Sequence, residues 1–187
     1  MKVLFLDHDG VICLSDCWGS RFKNKEGLDS IFDRFDEKSI KVLNSIIEKT
    51  DCEIVISSDW RFFATLEQMQ ELYKNRGVIK SPIGYTTTKR LDKSEFDYDG
   101  GFIHLRDHEG EQTRSLEIKK WLREHPDVTN WVAVDDMNMS NKYHFSWDSH
   151  RENWGLSNFV YTPISTEGIK QSGVKNKIVK YLVSSEK

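Results

Sequence analysis

The sequence predicts an α/β fold built on a mainly parallel sheet. Two observations carry that prediction. Short apolar runs, at residues 3–6, 53–56 and 131–134, are too continuous for half-exposed strands and alternate with stretches of helical period. Each run also stops abruptly in polar, mostly acidic residues. A length of 187 residues fits one domain, with room for a modest insertion.

The first strand, Val3-Leu4-Phe5-Leu6, is cut off by Asp7-His8-Asp9-Gly10. From Asp36 the apolar positions Ile40, Val42, Leu43, Ile46 and Ile47 keep a helical period, closed by Lys49 and the polar Thr50-Asp51. A second strand over Glu53-Ile54-Val55-Ile56 completes a βαβ unit and ends at Ser57-Ser58-Asp59. A helix follows over about 62–76, with Leu66, Met69, Leu72 and Tyr73 on one side and Gly77 as its stop. Periodicity then fades over about 78–112, which reads as a substrate-facing insertion. A helix over about 113–124 shows Leu116, Ile118, Trp121 and Leu122 on one face and ends before Pro126. The strand Trp131-Val132-Ala133-Val134 runs into Asp135-Asp136, a further strand is expected at 158–162, and a last helix at 174–183. The whole chain thus reads as a single domain.

Composition excludes several classes. With 37% hydrophobic residues, 11 Gly and 3 Pro, the chain is neither disordered nor of low complexity. Lys+Arg 27 against Asp+Glu 30 leaves a net charge of -3, which disfavours strong non-specific binding of long nucleic acid. Asp7 interrupts the N-terminal apolar run well short of the roughly 7–15 residues of a secretion signal, and nothing later approaches a span of about 20 apolar residues. The expectation is a cytoplasmic protein with no membrane partner. Cys13, Cys17 and Cys52 are then expected as reduced, partly buried thiols.

The strand ends carry the chemistry. In an open α/β sheet the carboxyl ends of the strands line the ligand crevice, so Asp7 and Asp9, Ser57 and Ser58, and Asp135 and Asp136 converge. Carboxylates gathered in this way repel one another, and oxygen ligands with open water positions suit Mg²⁺. Gly10 fits a tight exit from the first strand.

These residues resemble the four motifs of the haloacid dehalogenase (HAD) superfamily: Asp7-His8-Asp9-Gly10-Val11 after a strand, Ile56-Ser57, a basic residue on a later helix, and Val134-Asp135-Asp136. A finer similarity, on Ser57-Ser58-Asp59-Trp60-Arg61, Arg114 with Glu117-Ile118, and Glu167-Gly168-Ile169, is to small HAD domains associated with RNA-repair proteins. The resemblance implies a Rossmann-like three-layer α/β/α sandwich with a small or absent cap. It also implies a Mg²⁺-dependent phosphatase with Asp7 as nucleophile and Asp9 as acid and base. Ser57 and Arg114 would hold phosphoryl oxygens, and Asp7, Asp9 through its carbonyl, Asp135 and Asp136 would hold the metal. Ser58, Arg61 and Gly10 are expected at the substrate. Arg114 is preferred to Lys119 and Lys120 because a first-turn position reaches the strand ends.

Plainer readings stand beside these. Ser57 and Ser58 are not separated by chemistry. Arg61 either meets a substrate phosphate or pairs with a carboxylate at the surface. Trp60 reads as packing, and His8, His104, His108 and His144 read as solvated histidines rather than zinc ligands. Lys89, Arg90 and Arg106 form a solvated loop or guide a phosphorylated substrate. Substrates in view are a nucleotide, a nucleic-acid end or a small phosphomonoester. The alternatives are a catalytically silent binding module and a phosphotransferase to an acceptor other than water.

Overall fold

The computed structural model describes residues 1–24, 26–88, 109–141 and 154–184. Its centre is β1, Lys2–Leu6, which pairs in parallel with β2, Glu53–Ile56, on one side and with β4, Asn130–Asp135, on the other. Beyond β2 lies β3, Gly84–Tyr85, and beyond β4 lies β5, Phe159–Tyr161, giving the order β3-β2-β1-β4-β5 with every pairing parallel.

The strands read as unbroken apolar runs because both of their faces are covered. Leu4, Leu6, Ile54, Ile56, Val132 and Val134 face one layer. That layer is made of α1, Glu37–Thr50, α2, Leu66–Asn75, and α4, Val174–Val183. The alternate residues Val3, Phe5, Val55 and Ala133 face the other side, where α3, Glu109–Glu124, brings Ile118 and Trp121. Helices, sheet and helix are the three layers of an α/β/α sandwich.

Caps account for several boundaries. Asp36 accepts a hydrogen bond from Ser39 N at 2.7 Å and starts α1, and Asp51, with φ 53°, ends it. The helix after β2 begins later than its sequence predicts. Ser58 caps a short 3₁₀ turn over Asp59–Phe62, and the chain then restarts at Thr65, whose capping box with Gln68 opens α2. The expected insertion at 78–112 contributes to the core at both ends. Residues 84–85 form the edge strand β3, α3 begins at Glu109 rather than near 113, and 89–108, including Lys89, Arg90, His104 and Arg106, lie outside the described residues. Arg114 accordingly sits in the second turn of α3, not the first.

All three cysteines are free and buried. Among the described residues no helix is long and apolar enough to cross a membrane.

Candidate active site

The period-two alternation of the strands decides which side chains can meet. Asp7 continues the face of Val3 and Phe5, Ser57 that of Val55, and Asp135 that of Ala133, so all three leave the sheet on the side covered by α3. From α3, Arg114 closes the group: its Nη1 lies 3.1 Å from Asp7 Oδ1 and 2.8 Å from Asp135 Oδ2, and its Nη2 lies 3.3 Å from Asp59. Lys119 and Lys120 follow one to two turns later on the same helix.

Asp7, Asp135 and Asp136 each offer a carboxylate oxygen, and these atoms lie within 4.8 Å of one another. Asp7 is 3% exposed and Asp135 fully buried. Burial, then the nearby charge of Asp135, pushes the Asp7 carboxyl well above the ordinary range, with Arg114 pulling the other way. Asp136, half-buried, is pushed up to about 6 by burial and by Asp135. Burial would lower the Arg114 guanidinium, but Asp135 and Asp7 offset it and hold it firmly charged. One buried arginine is thus set against three close carboxylates. The donor set, all oxygen with excess negative charge, fits a hard divalent cation such as Mg²⁺.

Gly10 makes the cluster compact. Its φ is +68°, and a Cβ there would overlap Asp136 Oδ2, so only glycine lets the loop after β1 pass this close to the end of β4. A second glycine braces the same loop from behind. Gly168, with φ +52°, leaves no room for a Cβ against Val11 O, and Ile169 N donates to that carbonyl at 2.9 Å. The Glu167-Gly168-Ile169 sequence is thereby explained as packing.

Asp9 sits one turn of the loop away from Asp7 and is half-buried. Its Oδ2 accepts a hydrogen bond from Trp60 Nε1 at 2.8 Å. Burial raises its pKa above the ordinary value, against the opposing pull of hydrogen bonds from Trp60 and Cys13. Trp60 is itself fixed: its ring stacks on His8 at 4.5 Å and on Phe32 at 4.8 Å. The reading of Trp60 as packing therefore missed half of its role. Residue type gives no signal for the direction of an indole N–H, so nothing in the sequence announced this bond.

The two serines separate cleanly. Ser58 Oγ accepts from Trp60 N at 3.4 Å as the cap of the 3₁₀ turn. Ser57 Oγ, in a residue 1% exposed, is buried without a hydrogen-bond partner. Beside it, at the end of β3, Thr86 Oγ1 is buried and unpartnered in the same way.

Arg61 takes the second of its two readings, with the surface replaced by the interior. It is 4% exposed, its Nη2 meets Glu117 Oε2 at 2.7 Å, and its Nη1 donates to Ser57 O at 2.6 Å. It therefore braces the Ser57 backbone and is paired with a buried carboxylate. His8 also departs from expectation. It is fully buried, with Nε2 2.8 Å from Tyr73 Oη, and burial followed by the charges of Arg76 and Arg114 drives its pKa well below normal. It is a neutral core imidazole, not a solvated one. His144 lies outside the described residues.

A family model described as the HAD domain in Swiss Army Knife RNA repair proteins matches residues 3–158. Searches of curated proteins and of solved structures return no match.

Proposed function

The chain belongs to the family of HAD domains in Swiss Army Knife RNA repair proteins, and on that premise we propose that it is a Mg²⁺-dependent phosphomonoesterase acting through a phosphorylated Asp7 on nucleotides or nucleic-acid ends. The observation that carries this reading is the meeting of three carboxylates within 4.8 Å with Arg114 at 3.1 Å from Asp7, at the carboxyl ends of adjacent strands. The whole chain is read as one catalytic domain, because β5 and α4 complete the same cores that β1 and β4 begin.

Asp7, Asp135, Asp136 and the Asp9 carbonyl would hold the cation, which supplies charge neutralisation at the phosphoryl oxygens. The chain's own groups do the rest. Arg114 and the Ser57 hydroxyl hold phosphoryl oxygens and offset their repulsion with Asp7. Asp7 attacks phosphorus as the ester P–O bond breaks, and Asp9 delivers its proton to the departing oxygen. Asp9, now a carboxylate, takes a proton from the water that attacks phosphorus in the second step, releasing phosphate and restoring Asp7. The raised pKa of Asp9 favours the protonated form that the first step needs. Trp60, by donating to Oδ2, restrains the carboxyl.

The test is turnover of p-nitrophenyl phosphate and of 3′- and 5′-phosphorylated oligonucleotides with Mg²⁺. Asp7→Asn and Arg114→Ala should lose turnover, while Lys119→Ala and Lys120→Ala retain it. Absence of turnover with every substrate and divalent metal would instead favour a silent binding module. Loss in the lysine variants alone would move the phosphate-binding base.

A further inference from the structure

If Asp9 protonates the leaving oxygen, the surface beside Asp9 meets the leaving group and not the phosphate. We propose that Trp18 and Phe22 form this surface, a stacking site for the terminal base of a single-stranded phosphorylated end. The proposal rests on the reading of Asp9 given above and deepens it.

The chain leaves Asp9 through a tight turn. Asp9 bridges to Cys13, Gly10 N donates to Cys13 O at 2.9 Å, and Trp18 Nε1 donates to that same carbonyl at 3.3 Å. The indole is thus pinned by its edge to the turn that carries Asp9, while 50% of the residue stays open to solvent. Phe22, in the next 3₁₀ turn, is 78% exposed. An aromatic ring left open in this way contributes little to the core, and the neighbouring bonds show that the segment is not loose. Asp33, buried at 4% exposure, accepts from Arg21 N at 2.8 Å and from Ser20 Oγ at 3.3 Å, and Ser20 Oγ accepts from Arg34 N at 2.8 Å. The platform is held in shape before anything binds it, which lowers the ordering cost of binding.

Its chemistry selects a nucleobase. The Arg21 guanidinium lies 4.9 Å from the Phe22 ring centroid, and the charges of Arg21 and Asp33 both bear on Asp9, which places this segment at the site's edge. Aromatic faces with a neighbouring guanidinium stack on unpaired bases regardless of sequence, and Arg21 with the exposed Lys23 offers cations to an adjacent phosphate. A base inside a duplex has both faces covered and a terminal pair has one, so an unpaired end offers these rings the most. The net charge of -3 suits capture of one end, not tracking of a long strand.

The experiment uses the full chain carrying Asp7→Asn with Mg²⁺, and reads the Kd of short labelled oligonucleotides bearing a 3′- or a 5′-phosphate by fluorescence anisotropy. Adding Trp18→Ala or Phe22→Ala should weaken binding on the order of tenfold, and Trp18→Phe should restore most of it. In the otherwise unaltered enzyme, the same substitutions should leave KM for glycerol phosphate, which has no base, unchanged. Unchanged oligonucleotide affinity in both alanine variants overturns the site, as does an equal loss with glycerol phosphate or tighter Trp18-dependent binding of a phosphopeptide. The two readings fail separately. Trp18-dependent binding without any hydrolysis sinks the phosphatase and keeps the platform; hydrolysis with Trp18-independent binding does the reverse.

Discussion

The hydrogen bond from Trp60 Nε1 to Asp9 Oδ2 at 2.8 Å restrains the carboxyl proposed to move the proton. Asp9 lies in a turn whose backbone is fixed by Val11, Ile12 and Cys13 N–H groups all donating to His8 O, and its side chain is held by Cys13 within the turn and by Trp60 outside it. The Trp60 ring, stacked between His8 and Phe32, is the outer support. Trp60→Phe keeps the stack and removes the N–H, so turnover should fall by about 10–100-fold, the scale on which a misplaced acid–base group acts. The substrates make this specific. With an aryl phosphate the leaving group needs no proton, so Asp7 is phosphorylated at close to the normal rate while hydrolysis lags; acid-quenched samples should then contain more phosphoenzyme than wild type. With an alkyl phosphate, phosphorylation itself should slow. A variant that had merely lost its fold would be slow in both and accumulate nothing. The acids of this site were legible in the sequence because each ends a buried apolar run. The Trp60 bond to Asp9 and the identity of Glu117 as the buried partner of Arg61 were not, because spacing fixes where a Cα lies and is silent on which partner a long side chain finds.

Elements differ in how much of themselves they show in sequence, and the reasons are physical. β1, β2, α1 and α4 lie close to where apolar pattern and caps place them, since their buried faces are long and their ends carry strong signals such as Asp36. The start of α2 was hidden by Phe62 and Phe63, which mimic a helical face while the true signal, Thr65 with Gln68, lies just downstream. β3 has two residues, too few for a period, and the first turn of α3 is polar. The segment between β1 and α1 has short 3₁₀ turns and no periodic face; it is organised around one buried carboxylate. Asp33 gathers Arg21 N, Ser20 Oγ and Arg21 Nη1, while Arg76 from the end of α2 holds the backbone at Phe32 and Asp33. Burial would raise the Asp33 carboxyl, yet the bonds from Arg21 and Gly19 N–H groups and the Arg21 charge hold it below the ordinary range. A depressed carboxylate stabilises the fold above its unfolded pKa, near 4, and that contribution disappears as pH falls through the folded value. Asp33→Asn should therefore cost roughly 1–2 kcal/mol in urea unfolding at pH 6.5, with the gap to wild type narrowing toward pH 3. A gap of constant size across that range would mean that shape, not charge, is what Asp33 contributes.

At the scale of the whole molecule, two adjacent parallel strands, β1 and β4, deliver three carboxylates to one end of the sheet, and this concentrates a stability problem where the chemistry is proposed. Arg114 offsets part of it through Asp7 and Asp135, but Asp136 remains half-buried beside Asp135, with its carboxyl raised to about 6 by burial and by that neighbour. A raised carboxyl costs the fold nothing below its unfolded pKa, near 4; the penalty grows as pH rises from there and is complete above the folded value. At pH 7.5 the metal-free chain should carry this penalty in full. Asp136→Asn, close in size and without the charge, removes it. In EDTA at that pH the variant should melt at or above the wild-type temperature, whereas the gap should narrow by about pH 4.5 and close as pH falls below the unfolded pKa, near 4. Mg²⁺ reverses the comparison. A cation that binds the folded chain alone raises its melting temperature in proportion to the logarithm of its concentration above Kd, so wild type should gain more from millimolar Mg²⁺ than Asp136→Asn does. The net charge of -3 is then a poor guide to how the site meets an anion, since the acids that make it negative are the ones proposed to hold the cation. A variant that melts below wild type in EDTA at pH 7.5 would show that Asp136 is no burden on the free fold, and one that gains as much from Mg²⁺ would show that it is no ligand in the loaded one.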